Sequence, residues 1–194
     1  MNEQDLCKKR LLDLSKQANR KGIVLFSDFL NLNELHIYHQ NRKFFETKTE
    51  TSGGFPIAER QMVAFIPDAL YYEWEFPIAC LEITPAYPKF AEKLGHRDVL
   101  GSIMNLGVDR SKIGDIIIGQ NSYYMLCEDT MVSYFSENLD KIRHTIVKVS
   151  PVSTDIINSQ QRFEEKDGII TSNRIDTIVA CVYHLSRSQT LEYF

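Results

Sequence analysis

Two basic side chains, Arg110 and Lys112, occupy a short polar stretch from which they could contact an anionic ligand. The stretch, residues 109–112, follows Gly107, a residue type that commonly ends a helix, and it precedes a strand-like apolar run at 115–118. This spacing predicts a surface turn that presents both cations outward, where they could bind phosphate groups. The same charges could equally serve only to solvate a helix end, since exposed lysine and arginine are common.

Three other groupings contain residue types found in enzymes or metal sites. Residues 96–98 spell His-Arg-Asp, as in a kinase catalytic loop, but Ile103 stands where that loop needs asparagine. His36 and His39 are three residues apart on a predicted helix, yet no neighbouring cysteine or carboxylate completes a metal site. Residues 59–60, Glu-Arg, could supply an acid and a phosphate clamp, or an ion pair at a turn. We therefore predict no enzyme activity, no bound metal and no cofactor.

Residues 1–70 are predicted to form a small α+β module. Apolar residues recur at helical spacing near the N-terminus, and Gly22 is placed to end that helix: Cys7, Leu11, Leu14 and Ala18. A second helix is predicted over residues 32–45. Alternating residues at 46–51 and an apolar run at 60–66 predict a β-hairpin, or a strand pair joined by a longer loop around the glycines at 53–54.

Residues 77–151 show the order βαββαβ, which is the split βαβ arrangement of ferredoxin-like, or RRM-like, domains. The predicted elements are strand 78–83, helix 97–106, strand 115–118, strand 123–127, helix 130–142 and strand 145–149. We expect an open four-stranded sheet with two helices behind it, the platform on which RNA-recognition domains stack unpaired bases. Tyr123 and Tyr124 lie on a suitable strand, although tyrosines in strands are also commonly buried or exposed without such a role.

The last part of the chain follows a polar link at 153–161. A strand is predicted at 163–172, around Gly168, and a helix with an apolar face follows it: Ile175, Ile178, Val179 and Val182. Ser186 can cap a further helix that begins at Arg187 and continues to Phe194, where the chain ends.

Composition restricts how this chain could bind a polyanion. A formal charge of −4 and a pI near 5.7 argue against binding nucleic acid through overall charge, so any such contact must be local. The four cysteines are far apart and lack a CxxC spacing, which predicts reduced thiols rather than a zinc or redox site. Neither a signal peptide nor a membrane-spanning run is evident, so we expect a cytoplasmic protein.

Residues 96–115, HRDVLGSIMNLGVDRSKIGD, closely resemble the signature HRDFLGALLxLGIxRxKIGDI of the YlmH family, bacterial RNA-binding proteins encoded near cell-division genes. Residues 53–60, GGFPIAER, resemble that family's GGYPGAER turn, and residues 174–188, RIDTIVACVYHLSRS, resemble its RLDxxxAxxxxLSRS motif. The resemblance covers nearly the whole chain and is weakest over the first thirty residues. It implies non-catalytic binding of ribosomal RNA and transfer RNA on the large subunit carrying stalled peptidyl-tRNA, in ribosome-associated quality control, with no small-molecule substrate.

The resemblance also implies RNA-contacting residues. In the signature segment these are Arg97, Arg110 and Lys112, as phosphate contacts, with Arg97 equally able to pair within the protein. We expect Asp98 to be structural because a carboxylate is favoured early in a helix, and Asp115 to be structural at a turn.

In the C-terminal part, the residues that match the family's RNA-facing motif are Arg174, Ser186, Arg187 and Ser188, and we expect Asp176 to orient Arg174. Residues 162–194 would begin an alpha-L RNA-binding domain, which needs at least two further strands. The resemblance therefore implies that the chain is a truncated form with an incomplete third domain.

A second hypothesis is a protein-interaction module of a cell-division or stress complex, which pairs through its sheet and is favoured by the acidic balance. An enzyme that uses the sheet as a substrate floor ranks last, because no catalytic set is present. RNA binding predicts one basic patch that unites Arg97, Arg110 and Lys112 with Arg174 or Arg187. An interaction module predicts an exposed apolar patch, and an enzyme predicts a closed pocket with shifted carboxylates.

Overall fold

A computed structural model describes residues 2–157 and 166–192, and the chain divides into two compact units, Met1–Gln160 and Gln161–Phe194. Part of the predicted link at 153–161 and the first residues of the predicted strand at 163–172 lie outside the described residues.

The N-terminal part of the first unit forms the predicted α+β module. Its helices are α1 (Glu3–Lys21) and α2 (Leu32–Asn41), and its strands are β1 (Leu25–Phe26), β2 (Lys48–Ser52) and β3 (Met62–Ile66). Helix α1 ends at Gly22 as predicted, with a φ of +65° that glycine adopts at little cost. Helix α2 is shorter than predicted, because residues 42–44 continue it as a single 3₁₀ turn.

The strands of this module form an antiparallel sheet in the order β1-β3-β2, which confirms the predicted pairing of the two longer strands. Helices α1 and α2 pack on β3, and their side chains form a small apolar core with it: Cys7, Leu11, Ala18, Leu30, Leu35, Tyr38, Val63 and Phe65. The longer-loop alternative is the one observed, since residues 53–61 connect β2 to β3.

A second antiparallel sheet follows, in the order β5-β6-β4-β8-β7. Its strands are β4 (Ile78–Pro85), β5 (Ile113–Ile118), β6 (Tyr123–Glu128), β7 (Lys141–Ile142) and β8 (Thr145–Val152). Helices α3 (His96–Met104) and α4 (Val132–Asn138) complete the set, so the predicted sequence of strands and helices is present with one additional short strand.

The additional strand replaces the end of the predicted helix at 130–142. Helix α4 stops at Asn138, and β7 then turns back onto β8 through Arg143, whose φ is +53°. Leu139 and Ile142 are buried. Their spacing fits one face of a helix and equally fits this turn and strand, so apolar periodicity does not distinguish the two.

Helices α3 and α4 cover one face of the second sheet, and the core between them includes Val99, Ile103 and Phe135. The expectation that the other face is open is wrong. Phe29 and Met62 of the N-terminal module pack there against Leu126 of β6, which is fully buried. Strand β6 is apolar at successive positions, and that pattern is typical of a strand covered on both faces.

Both tyrosines are buried, one on each face of the second sheet, so neither can stack on a base. Tyr123 is 9% exposed and packs in the core beside the helices. Tyr124 is 3% exposed, and its hydroxyl group donates a hydrogen bond to Glu82 Oε1 at 3.0 Å. The alternative that these side chains are buried is therefore the one that the structure shows.

The C-terminal unit contains α5 (Ile175–Tyr183) and α6 (Arg187–Leu191). His184 ends α5 in a left-handed conformation, and Ser186 caps α6 as predicted by accepting the backbone N–H of Gln189. Residues 166–170, within the predicted strand, are not in a strand. In the described part of the chain, no helix is both long and apolar enough to cross a membrane.

Candidate nucleic-acid interface

Lys112 lies on the predicted turn, which is a 3₁₀ helix at Arg110–Lys112, but its ammonium group faces carboxylates. Its Nζ atom is 2.8 Å from Asp28 Oδ1 of the N-terminal module and 2.8 Å from Glu128 Oε1 of β6. Burial lowers the pKa of Lys112, but the hydrogen bonds and charges of the two carboxylates outweigh burial, and the pKa is raised. The charge of Lys112 is thus compensated within the protein.

Arg110 is half-buried rather than presented outward. Its Nη1 atom donates hydrogen bonds to the backbone carbonyl oxygens of Ile113 and, at 3.1 Å, of Gly114. Burial and the neighbouring guanidinium of Arg60 lower the pKa of Arg110 to about 10, and Asp115 offsets this only in part. The guanidinium group therefore serves a local structural purpose, and a role as a phosphate contact stays a prediction.

Arg60 and Asp115 connect the two sheets of the first unit. Arg60 donates from Nε to the carbonyl oxygen of Ile113 and from Nη2 to that of Phe29, each at 2.9 Å. The Asp115 carboxylate accepts the backbone N–H groups of Glu59, at 2.7 Å, and Arg60, at 3.1 Å. Asp115 is structural as expected, although it lies in β5 rather than at a turn.

The Glu-Arg pair at 59–60 therefore forms neither an acid with a free phosphate clamp nor an internal ion pair, because the Arg60 guanidinium is committed to carbonyl oxygens. We call this region the junction, and it consists of Asp28, Arg60, Arg110, Lys112 and Asp115. Two of the segments that carry the family resemblance, residues 53–60 and 96–115, meet at the junction.

Arg97 has a different environment at the start of α3. Its side chain is exposed, and within the described part of the chain it makes no ion pair. Asp98, next to it, accepts the N–H of Gly95 at 2.8 Å, which confirms its expected structural role early in the helix. Arg97 is the second residue of α3 and lies about 10 Å along the helix axis from its last residue, Met104, after which the chain leads on to Arg110. The three predicted cations of this segment do not form one exposed patch.

Exposed basic side chains lie on three segments that contact one another near Arg97. We call this surface the basic end, and it comprises side chains of the loop after β4, the start of α3 and the turn between β7 and β8: Lys89, Lys93, His96, Arg97, Arg143 and His144. Its four lysines and arginines lie beside two carboxylates, Glu92 and Asp98, which leaves a local formal charge of +2 in a chain of charge −4.

Backbone contacts hold these segments of the basic end together. The N–H of Ala86 donates to the carbonyl oxygen of Ile146 at 2.8 Å, and the N–H of Glu92 donates to Thr145 Oγ1 at 3.1 Å. Arg143 bridges the segments as well, with Nη1 3.5 Å from Asp98 Oδ1 and Nε 3.8 Å from Glu92 Oε2. Arg143 thus pairs with the local carboxylates, and within the described part of the chain Lys89, Lys93 and Arg97 make no ion pair.

A shallow polar groove of about 520 Å³ adjoins the basic end, between α3 and the turn after α4. Its walls offer cations, amide groups and two carboxylates, from Arg97, Lys141, Asn138, Asp98 and Asp140 among others. The sequence analysis missed this surface. The signal was the stretch at residues 87–97, YPKFAEKLGHR, in which aromatic and basic residues alternate, as is common in nucleic-acid contacts.

The C-terminal unit contains the other residues that are predicted to contact RNA. Arg174 forms a two-point contact with the Asp176 carboxylate, at 3.0 Å from Nε and 3.2 Å from Nη2, so Asp176 orients Arg174 as expected. Ser188 is exposed, and its hydroxyl oxygen is 3.1 Å from that of Ser186. The side chain of Arg187 lies outside the described residues.

The described residues include no cluster of three or more histidine, cysteine or carboxylate side chains that could hold a metal ion. His36 and His39 have other contacts: the Nε2 atom of His36 is 2.8 Å from the amide nitrogen of Gln40, and His39 packs against the ring of Tyr38. The thiols of Cys7, Cys80 and Cys127 are buried and free of disulfides.

Burial raises the pKa of both Cys80 and Cys127 to about 12, so neither is a reactive thiolate near neutral pH. These two thiols are part of the packed sheet.

Two family models match the chain over most of its length. One, described as "YlmH, N-terminal", matches residues 3–70, and the other, described as "Putative RNA-binding domain in YlmH", matches residues 72–155. The chain belongs to the YlmH family. The residues that match the RNA-binding domain model of this family include the second sheet, the basic end and the groove.

Two relatives of this chain are informative. The ribosome-associated protein quality control protein P2 of Bacillus subtilis (strain 168) is 26% identical over 144 residues, which are 72% of this chain and 55% of that protein. The chain therefore spans about half the length of this relative. The solved structure of cell division protein YlmH from Streptococcus pneumoniae has a TM-score of 0.62 at 22% identity, over 78% of this chain and 92% of the other, and it shows a shared fold.

Proposed function

We propose that this YlmH-family chain is a non-catalytic RNA-binding protein that acts on the ribosome. Its RNA targets in this proposal are ribosomal RNA and transfer RNA on the large subunit, during quality control of stalled translation. The family match and the name of the Bacillus subtilis relative support the general role. The observation that supports a particular RNA-binding surface is the group of exposed cations without ion pairs at the basic end.

The proposed contact is electrostatic. Each lysine or arginine that neutralises a backbone phosphate releases a bound counterion, so a few cations contribute strongly to affinity at low salt. Lys89, Lys93 and Arg97 are exposed and are assigned this role, and Arg143 offsets part of the negative charge of the nearby carboxylates. Arg110 and Lys112 contribute indirectly in this proposal, by holding the junction.

The architecture supports placing the RNA at this end. We assign residues 77–151 to a ferredoxin-like, RRM-like domain. Its four longer strands lie in the order β5-β6-β4-β8, which is second, third, first and fourth along the domain, and both helices cover one face. Because the N-terminal module, residues 1–70, covers the other face around Leu126, RNA would not bind there in the usual way. The same covering argues against the alternative that this domain pairs with a protein through its sheet.

The C-terminal unit is assigned to the start of an alpha-L RNA-binding domain over residues 162–194. Arg174, Ser186, Arg187 and Ser188 are proposed as its RNA contacts. The two-point contact with Asp176 fixes the direction of the Arg174 guanidinium, which supports a positioned rather than a freely moving cation. Ile169, Ile175 and Tyr183 are exposed apolar side chains of this unit.

The proposal is tested by titrating labelled transfer RNA and a ribosomal RNA stem-loop with the chain at several salt concentrations, with fluorescence anisotropy as the readout. The double variant Lys89→Ala with Arg97→Ala should bind about tenfold more weakly and should reduce the salt slope by about two. The matched control is Lys16→Ala with Arg20→Ala, which removes two exposed cations from α1. Equal losses in the two double variants would contradict the basic end as the interface.

A further inference from the structure

Two aromatic side chains of the loop after β4 are exposed among the cations of the basic end. Tyr87 is 64% exposed and Phe90 is 80% exposed. Lys89 lies between them in sequence, and Lys93 follows three residues after Phe90. Aromatic rings contribute strongly to packing when they are buried, so two exposed rings beside uncompensated cations indicate a surface that a ligand covers.

The loop holds these rings in a defined position. Residues Pro88–Phe90 form a 3₁₀ turn in which the N–H of Phe90 donates to the carbonyl oxygen of Tyr87 at 3.0 Å. Pro88 restricts the backbone at its start, and the contacts of Ala86 and Glu92 with β8 fix both sides of the turn. An aromatic side chain on an anchored turn loses less entropy on binding than one on a loose loop.

Exposed ring faces beside cations indicate which class of ligand this surface fits. A protein partner would favour an interface centre that is depleted of lysine. A nucleotide with an unpaired base offers both complements at once, a flat π face for the ring and a phosphate for the lysine. In a continuous duplex the base faces are stacked internally, so surface rings could not reach them.

We propose that Phe90 and Tyr87 stack on unpaired bases while Lys89, Lys93 and Arg97 hold the flanking phosphates, so that the basic end binds a loop, bulge or single-stranded end of RNA rather than continuous duplex. This inference rests on the proposed function and names the class of RNA. Bases would thus stack on the loop after β4 and not on the covered face of the sheet.

Tyr71 supplies a matched control, because it is 95% exposed and lies in an acidic stretch with Asp68, Glu73 and Glu75. Carboxylates repel phosphates, so an aromatic side chain in this setting should not contact RNA. Removing either ring deletes a comparable exposed surface and leaves the net charge unchanged.

The experiment uses the full chain and two RNAs of equal length, a stem with an unpaired loop that carries 2-aminopurine and the same stem closed as a continuous duplex. The wild-type chain should prefer the loop RNA by about tenfold and should change its 2-aminopurine fluorescence through stacking. Phe90→Ala should lose most of that preference and of the fluorescence change, with an unaltered salt slope. Phe90→Trp should retain both, and Tyr71→Ala should match the wild type.

The two proposals fail in different ways. If Lys89→Ala with Arg97→Ala weakens binding but Phe90→Ala changes neither the preference nor the fluorescence, base stacking is wrong and phosphate binding stands. If Phe90→Ala weakens loop and duplex RNA equally, the ring acts without selecting unpaired bases, and the inference is wrong. If the charge variants leave affinity unchanged, or no RNA binds, both proposals are wrong. Circular dichroism confirms that each variant is folded, as expected for changes at exposed positions.

Discussion

The junction and the basic end contain the same types of cation, and the structure uses them differently. At the junction, Arg60 and Arg110 donate to backbone carbonyl oxygens and Lys112 pairs with Asp28 and Glu128. At the basic end, Lys89, Lys93 and Arg97 are exposed. Where the fold places carbonyl or carboxylate oxygens near a cation, the cation forms hydrogen bonds or ion pairs within the protein. Where no such acceptor is near, the cation stays available for a ligand.

The difference has an energetic basis. A partly buried guanidinium loses solvation, and it is tolerated only when carbonyl or carboxylate oxygens replace the lost water. Burial lowers the pKa of both Arg60 and Arg110, in agreement with this cost. The exposed cations of the basic end keep their water and can exchange it for phosphate oxygens. The junction should therefore govern stability, and the basic end should govern binding.

The largest effect is expected for Arg60→Met at the junction. Loss of the guanidinium removes charged hydrogen bonds and leaves the carbonyl oxygen of Phe29 without this donor, so the free energy of unfolding should fall by about 3 kcal/mol. Urea denaturation measures this change. Arg97→Met at the basic end is the matched control and should change stability by less than about 0.5 kcal/mol. A similar loss in both variants would remove the distinction between the two regions.

A smaller effect is expected where a glycine allows close packing at the junction. A Cβ atom at Gly114 would lie 2.8 Å from both the Phe29 ring and the Leu126 Cβ, so Gly114→Ala should destabilise the fold by about 2 kcal/mol. A Cβ atom at Gly101, in the middle of α3, would meet nothing within 4 Å. Gly101→Ala should instead stabilise the fold by about 0.5 to 1 kcal/mol, because alanine favours a helix. Thermal denaturation measures both changes. Melting temperatures that shift in the same direction in the two variants would contradict this packing.

A smaller loss than that of Gly114→Ala is expected for Lys112→Met, which should cost about 1 kcal/mol because the ion pairs are partly exposed. The pKa of Lys112 is raised above its ordinary value of 10.5, so its contribution is fully present below that pH and is lost as the pH rises through the folded-state value. The stability difference between wild type and variant, measured by urea titration, should therefore stay constant up to about pH 10 and shrink as the pH rises further. A difference that grows with pH would contradict the ion pairs.

Local patterns predicted several elements of this chain correctly. The apolar spacing of Cys7, Leu11 and Ala18 indicated α1, and Gly22 marked its end, because a helix repeats every 3.6 residues whatever packs on it. The cap at Ser186 and the orienting contact of Asp176 with Arg174 were also predictable, since their partners are only two or three residues away. The strand pair of the N-terminal module followed from alternation in the same way.

Predictions failed where the deciding contact was distant in sequence. Arg110 and Lys112 have the composition of an exposed turn, yet the acceptor of Lys112 on the N-terminal module is 84 residues away. Tyr124 lies on a strand suited to stacking, but Phe29 and Met62 cover that face. The basic end was missed because its cations come from segments about fifty residues apart, joined by contacts such as that of Glu92 with Thr145.

By itself, the amino-acid sequence determined most of the order of helices and strands, the end of α1 and the cap of α6, because these depend on periodicity and on neighbours along the chain. Its motifs also carried the family resemblance that the comparisons confirmed. Only the tertiary structure decided which face of the second sheet is covered and which cations remain exposed. Burial and hydrogen-bond acceptors for a charged side chain are supplied by elements remote in sequence, so they exist only once those elements have packed together.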